Sequence, residues 1–485
     1  MLFNSFSFLL FLGVVVVLFF IIPHKYRWTW LLIASLYFYI SWSWKLLPPL
    51  LLVISTLVAY FCGLGIKHAD EDQGRKKLFL GIGCLINLGL LAVFKFADFA
   101  VEQLNSALNT SIPQPDLFLP VGLSFYIFMT VTYIVDVYRK DMEAEPHLGR
   151  FGLYVSYFPK IFAGPIERAR TFLPQLREKI HFDQEKASMG FYLILLGLFK
   201  KVVIADRIAP FVDNVFSKPA YAPPIDIIIG IYFFAFQIYC DFSGYTDIAR
   251  GAAKLMGFEL MENFRRPYLS KSPSEFWAKR WHISLASWFR DYLYIPLGGS
   301  RAGVPRHYAN LMIVFVISGL WHAGLGYGVN WTFMIWGALN GFYQWVSVGS
   351  SPLWKKIGNT VPFLKDNPVI NIIRSLFTFH LILFSWIFFR VNSIEDGFNM
   401  LSNISKRAKL IPRLLKFYNF TPELLISFAL IGILIIFEII DERKSVWERL
   451  KTKPLAVRWA FHYVLIFSLI ILGKWGVQQF IYMQF

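Results

Sequence analysis

The residues best equipped for chemistry lie between 275 and 322, where EFWAKRWHISLASWFRDYLYIPLGGSR is followed, one apolar segment later, by SGLWHAG. His282 and His322 stand there among Trp, Tyr and Arg residues and the adjacent pair Arg290 and Asp291. A neutral imidazole titrates near working pH and can take a proton from a hydroxyl, so both histidines are candidates for general acid–base work. His322 closes a short apolar helix flanked by Gly319, Trp321 and Gly324, and small residues of this kind let a backbone or a ligand approach closely. A structural histidine at a helix end is the competing reading. His282 follows Arg280 by two positions and fits three roles equally: orienting a substrate, acting as a second acid or base, or bracing its loop.

Other residues of chemical interest fare less well. His24, His68, His147, His181 and His307 fall in or beside charged loop segments, and His380 and His462 fall inside apolar runs, where interhelical hydrogen bonding is the expected use. The carboxylates Asp241, Asp247 and Asp291 could accept a proton, but each can equally pair with an arginine or cap a helix. After His282 the chain reads Ile-Ser-Leu-Ala-Ser, which rules out a His-x4-Asp signature; there is no GxSxG elbow, and the Gly298-Gly299 turn is no phosphate loop. No spacing converges on a metal. Cys62, Cys84 and Cys240 lie in or beside apolar segments and suggest small buried hydrophobes, with no disulfide framework.

The elements that must carry these residues are membrane spans. Of 485 residues 56% are hydrophobic and 16% charged, against about a quarter charged in a soluble domain. Inserting a charge among such segments costs about 2.5–3.5 kcal/mol, so polar residues there are expected to face a cavity. Apolar runs near 6–22, 28–45, 49–66, 78–97, 117–137, 186–206, 225–247, 309–323, 331–348, 369–390, 421–440 and 456–475 predict an all-α polytopic protein of roughly eleven or twelve transmembrane helices. The first run lacks a basic n-region and is followed by His24, Lys25 and Arg27, which argues for a span and against a cleaved signal.

The net charge is +17 and is unevenly placed. Loops 67–77, 139–150 and 250–308 are basic and expected in the cytoplasm, whereas 98–116 has no Lys or Arg and is expected outside. Residues 391–420 are basic but lie outside by parity, either because a segment fails to span or because they form an interfacial helix. Segments 151–180 and 275–300 are expected as re-entrant or buried cytoplasmic-side elements, the first because Pro159, Gly164 and Pro165 break an apolar stretch too short to cross. With no repeat or polar linker, 1–485 reads as a single membrane domain. The basic excess suits anionic lipid or an acidic partner and, without a soluble basic module, no nucleic acid.

Six stretches together carry a resemblance: PVGLSFYIFMTVTYIVDVYR (120–139), FPKIFAGPIERAR (158–170), YCDFSGYTDIARG (239–251), MENFRRPYLSKSPSEFW (261–277), WHISLASWFRDYLYIPLGG (281–299) and GLWHAG (319–324). With them the chain resembles the membrane-bound O-acyltransferase family, and within it the alginate and peptidoglycan O-acetyltransferase types, from the N-terminal spans to about residue 345. The resemblance implies helices around a central funnel in a bacterial inner-membrane protein. It implies catalytic roles for His322 and His282, with Asp241, Arg280, Arg290, Asp291 and Trp321 at the substrate. It further implies an acetyl donor, acetyl-CoA or an acyl carrier protein, rather than a tightly bound cofactor. Arg265, Arg266, Lys271 and Lys279, with Arg280, would form a basic donor-side surface. The acceptor would be an alginate-like polysaccharide, peptidoglycan or another wall polymer, reached directly or through a periplasmic hydrolase-like transferase. A transporter and a non-catalytic scaffold are the alternatives.

Departures from the family pattern are few. Ala286 and Ala323 replace a common Ser and Gly. One extra residue separates Trp277 from Trp281, which on an α-helix turns Trp277 by about 100° away from its expected direction.

Overall fold

The structure, a computed structural model, describes residues 1–69, 71–301, 303–323, 331–360, 367–476 and 480–481, with backbone alone at 357 and 358. It is all-α: among the described residues the only β feature is an isolated antiparallel bridge between Phe264 and Trp281. Among the described residues seven helices are long and apolar enough to cross a membrane: Leu47–His68, Gln73–Leu108, Gln184–Ser217, Pro224–Leu255, Pro368–Arg390, Pro422–Arg443 and Leu455–Leu472. Shorter or less apolar helices, Phe6–Ile21, His24–Ile40, Leu123–Arg139, Val304–His322 and Trp331–Thr360, fall on other segments that hydropathy expects to cross.

Local chemistry sets where these helices begin. Proline sits in the first turn at Leu47–His68, Pro368–Arg390 and Pro422–Arg443, where its missing N–H and fixed φ cost nothing. Side-chain caps complete the last two, Asn367 accepting from the Val369 N–H at 2.8 Å and Thr421 from the Leu424 N–H at 3.3 Å.

The chain divides into two compact units, each discontinuous in sequence: Met1–Leu198 with Gly244–Met261 and the C-terminal residues, and Phe199–Ser243 with Glu262–Gln478. In the first unit the 151–180 segment forms two short helices, Leu148–Ser156 and Ala169–Gln175, joined by turns and buried from Phe151 to Ala169 apart from the half-buried Gly152. Lys160 lies fully buried there, its ammonium 4.2 Å from the Tyr154 ring centre and 4.8 Å from that of Phe172.

In the second unit the basic stretch 391–420 contains helices too short to span, Ile394–Lys406 and Ile411–Lys416, joined by a 3-10 turn. The longer one buries Gly397 and Met400 on one face, so this stretch adds no crossing and reads as amphipathic.

Candidate active site

The site is built entirely within the second unit, on a loop–helix segment and two packed helices. His282 is placed by a short antiparallel exchange with 263–265. The Arg265 N–H donates to the Arg280 carbonyl at 2.9 Å, the Ile283 N–H to the Asn263 carbonyl at 3.0 Å, and the Ser284 N–H to Asn263 Oδ1 at 3.2 Å. His282 itself adopts φ +45°, a left-handed conformation that costs a non-glycine residue energy and is often found at functional sites. Its ring is buried, edge-on to Phe242 at 4.7 Å and 6.4 Å from Trp321 between centres. Burial first, and the neighbouring His322 second, push its pKa well below the ordinary imidazole value, so His282 is neutral.

His322 is carried by the last turn of Val304–His322. That helix touches Trp331–Thr360 backbone to backbone, because a Cβ at Gly319 would stand 2.4 Å from the Phe333 carbonyl oxygen and one at Gly337 2.5 Å from that of Phe315. Trp321, Trp336 and Phe389 surround the His322 ring with centres at 4.6, 5.0 and 5.5 Å. Its Nδ1 lies 2.7 Å from the Ser318 carbonyl. A carbonyl only accepts, so Nδ1 carries the proton and the lone pair falls on Nε2. Ala323 is buried beside it, and Gly324 lies outside the described residues.

Behind the histidines stands an aromatic wall that sequence reading did not assemble. Trp336 and Trp386 stack at 6.0 Å, Trp386 lies 5.1 Å from Trp281, and the Trp277 indole N–H donates to Asn340 Oδ1 at 3.0 Å. Trp277 joins this wall because Phe276–Arg280 is a π-helix, in which the Trp281 N–H reaches the Phe276 carbonyl at 2.9 Å. A π turn holds one residue more than an α turn, so it absorbs the extra residue that an α-helix would have turned aside. A second π segment, Arg290–Tyr294, follows the Ile283–Phe289 helix.

The expected polar residues divide into groups. Trp321 packs on both histidines. Arg290 and Asp291 pair with each other at 2.8 Å on a partly exposed stretch. Arg280 is held by Glu275 at 2.7 Å and Glu442 at 2.8 Å, while Arg266 is held by Asp441 and, at 2.7 Å, by Glu442. These carboxylates raise the pKa of both guanidiniums against the opposing effect of burial. Arg265 pairs with Glu262 at 2.6 Å and is exposed, as are Lys271 and Lys279. Asp247 belongs to the first unit, 3.8 Å from Arg250.

Asp241 is buried and bonded to Lys201 at 2.6 Å, and the same ammonium reaches Asp206 at 2.8 Å. Lys200 donates to Ser243 Oγ at 2.9 Å, and Tyr239 hydrogen-bonds Glu438. Lys200 and Lys201 lie on a third π segment, Phe199–Ala205. Their sequence signal was available: two adjacent lysines inside a long apolar run.

Helices of this kind define a multi-pass membrane protein, and its two buried histidines make a candidate site. The membrane-bound O-acyltransferase family model matches residues 139–391, and the chain belongs to that family. It is an O-acyltransferase, which sets aside the transporter and scaffold readings. It is 37% identical to the probable alginate O-acetylase AlgI of Azotobacter vinelandii over 82% of this chain and 77% of that protein, and 38% identical to its namesake in Pseudomonas syringae pv. tomato over 81% and 73%. It is also 34% identical to the peptidoglycan O-acetyltransferase of Helicobacter pylori over 77% and 73%.

Proposed function

We propose that this enzyme moves an acetyl group from a cytoplasmic thioester to a hydroxyl of a polysaccharide beyond the bacterial inner membrane. The observation that carries the reading is the 2.7 Å contact of His322 Nδ1 with the Ser318 carbonyl, which assigns the proton to Nδ1 and the lone pair to Nε2. As the acceptor oxygen bonds to the acyl carbon, Nε2 takes its proton and the carbon–sulfur bond breaks. The imidazolium then returns the proton to the departing thiolate, so the step balances without a further acid. Neutral His282 positions donor or acceptor beside it. Trp321 and the Arg290–Asp291 pair contact substrate, whereas Asp241 and Arg280, held in ion pairs, act by fixing the elements around the site.

The relatives named for alginate and for peptidoglycan support a glycan acceptor, alginate-like in the leading reading and a wall polymer in the second. The polymer is reached directly or through a periplasmic hydrolase-like partner. Exposed Arg265, Lys271 and Lys279 attract the anionic donor, the phosphates of acetyl-CoA or an acidic carrier protein, with no tightly bound cofactor. The test is polymer acetyl content at matched membrane abundance. His322→Ala is expected to lower it by about 10²–10⁴-fold, the worth of general base catalysis. Retention of half the wild-type acetylation would assign the base elsewhere.

A further inference from the structure

The second unit holds a cavity of about 590 Å³, within the about 300–1,000 Å³ typical of small-molecule sites. It is walled by the start of Asp206–Ser217, the first turns of Pro422–Arg443 and the chain following Leu455–Leu472. Its side of the membrane follows from Pro422–Arg443. The far end of that helix carries Asp441 and Glu442 onto Arg266 and Arg280, in the segment whose basic charge places it in the cytoplasm. Glu423 is 18 residues from Asp441, a rise of roughly 27 Å at 1.5 Å per residue, so the cavity opens toward the outer side.

The lining is built. The Phe199–Ala205 π segment presents the Val202 carbonyl to the Lys474 N–H at 2.8 Å, which pins the rim. The Trp475 indole N–H donates to the Leu469 carbonyl at 2.9 Å, anchoring a ring that stays half exposed at the cavity. Arg207 bonds Glu423 at 2.7 Å and the Leu472 carbonyl at 2.5 Å, and Lys474 lies 3.3 Å from the same Glu423 oxygen. Two lining residues, both more than nine-tenths buried, each have a polar atom, closed to solvent, with no hydrogen-bond partner among the described residues: Asp206 Oδ2 and Arg207 Nε.

These features select a ligand class. Asp206 and Glu423 balance Arg207 and Lys474, so the wall favours neither a simple anion nor a simple cation. Its wall carries acidic and basic residues in equal number, and a hydroxyl, which both gives and accepts a hydrogen bond, is the common neutral group able to engage either kind. Trp475 and Phe211 add aromatic faces against which the C–H face of a sugar ring packs. We propose that this cavity binds a polyhydroxylated chain, and, resting on the glycan-acceptor reading above, that it is an outer docking site for the acceptor polymer, separate from His322. The same hydroxyl pattern occurs in lipids with glycerol headgroups.

The test uses the full chain in nanodiscs of phosphatidylcholine, with a uronate tetrasaccharide and cellotetraose as probes and calorimetry as readout. Saturable binding of either sugar is expected. Trp475→Ala and Glu423→Gln, checked for an unchanged melting temperature, should each weaken it about tenfold. His322→Ala should bind as the wild type does. Because binding needs no acyl transfer, failure of the cavity proposal leaves the acetylation assay intact, and loss of the acetyltransferase reading leaves sugar binding intact. Nanodiscs containing phosphatidylglycerol separate the sources: sugar-sensitive retention of that lipid, lost in the same variants, supports the hydroxyl site with a lipid occupant. The proposal is overturned if neither sugar nor lipid binds, if binding ignores both substitutions, or if the variants lose only a co-purifying protein.

Discussion

His322 and Lys201 are both buried ionisable side chains on helices of the second unit, and the fold handles them in opposite ways. His322 is wrapped in aromatic rings, and its Nδ1 meets a backbone carbonyl. Lys201 is surrounded by charge, with carboxylates of Asp241 and Asp206 at 2.6 and 2.8 Å. The first arrangement packs an imidazole among rings and fixes its Nδ1 on a backbone carbonyl. The second holds ions where an unpaired one would be expelled, since burying a lone charge costs several kcal/mol. A polar residue inside a membrane protein therefore signals chemistry only once its partners are known.

The sharpest way to break this contrast is to remove the ammonium. Lys201→Met leaves two carboxylates buried with no cation between them, and breaking a buried pair costs about 3–5 kcal/mol. Folded protein in the membrane should collapse, measured as abundance of monodisperse material after detergent extraction. Adding Asp206→Asn and Asp241→Asn should restore much of it, because matched neutral groups commonly replace a buried ion network at little cost. Normal abundance of Lys201→Met alone would mean that the cluster does not hold the helices.

A second change attacks the histidine side without touching a charge. Gly319→Val puts a branched side chain where even a Cβ meets the Phe333 carbonyl oxygen at 2.4 Å. Overpacking of this kind costs about 1–3 kcal/mol. The helix pair must part, which moves His322 against Trp336 and Phe389. Acetylation per folded molecule should fall at least about tenfold, since small misplacements of catalytic groups weigh heavily. An unchanged specific activity would show that the close helix contact does not set the His322 position.

Much of this contrast could be read from the chain, and the unread part has physical causes. Apolar runs gave the spans because hydropathy is local. The helix expected at 186–206 runs on to Ser217; within it Lys201 pairs with Asp206, whereas Arg207 pairs with Glu423, 216 residues away and outside any window of sequence. The pairing of Asp241 was hidden because its partner, Lys201, lies forty residues earlier. His282 and His322 stood out by residue type, whereas Trp336 and Trp386 did not, since tryptophans in an aromatic-rich membrane protein carry no signal until the helices pack. The π segments left no periodic trace. Arg266 and Arg280 counted toward a basic surface in sequence, yet both are held by acidic residues at the C-terminal turn of Pro422–Arg443, and Arg280 also by Glu275.

That last pairing yields the smallest expected effect and a third category beside the two buried ones. Lys271 and Lys279 are exposed, so their influence on a donor acts through solvent and is screened within about 10 Å at 0.1 M salt. Arg280 is bound to Glu275 and Glu442, so its charge is largely balanced before any donor arrives. Lys271→Gln with Lys279→Gln should therefore raise the apparent KM for an anionic donor by a few-fold at low ionic strength, leave kcat unchanged, and lose this effect as salt rises. Arg280→Gln should act differently: it leaves Glu275 and Glu442 without their largely buried guanidinium and loosens the turn ahead of His282, lowering the melting temperature. Initial rates against donor concentration at two salt levels, set beside melting temperatures, distinguish the cases. A salt-sensitive KM effect from Arg280→Gln equal to that of the double lysine variant would show that the paired arginine faces the donor as a free charge.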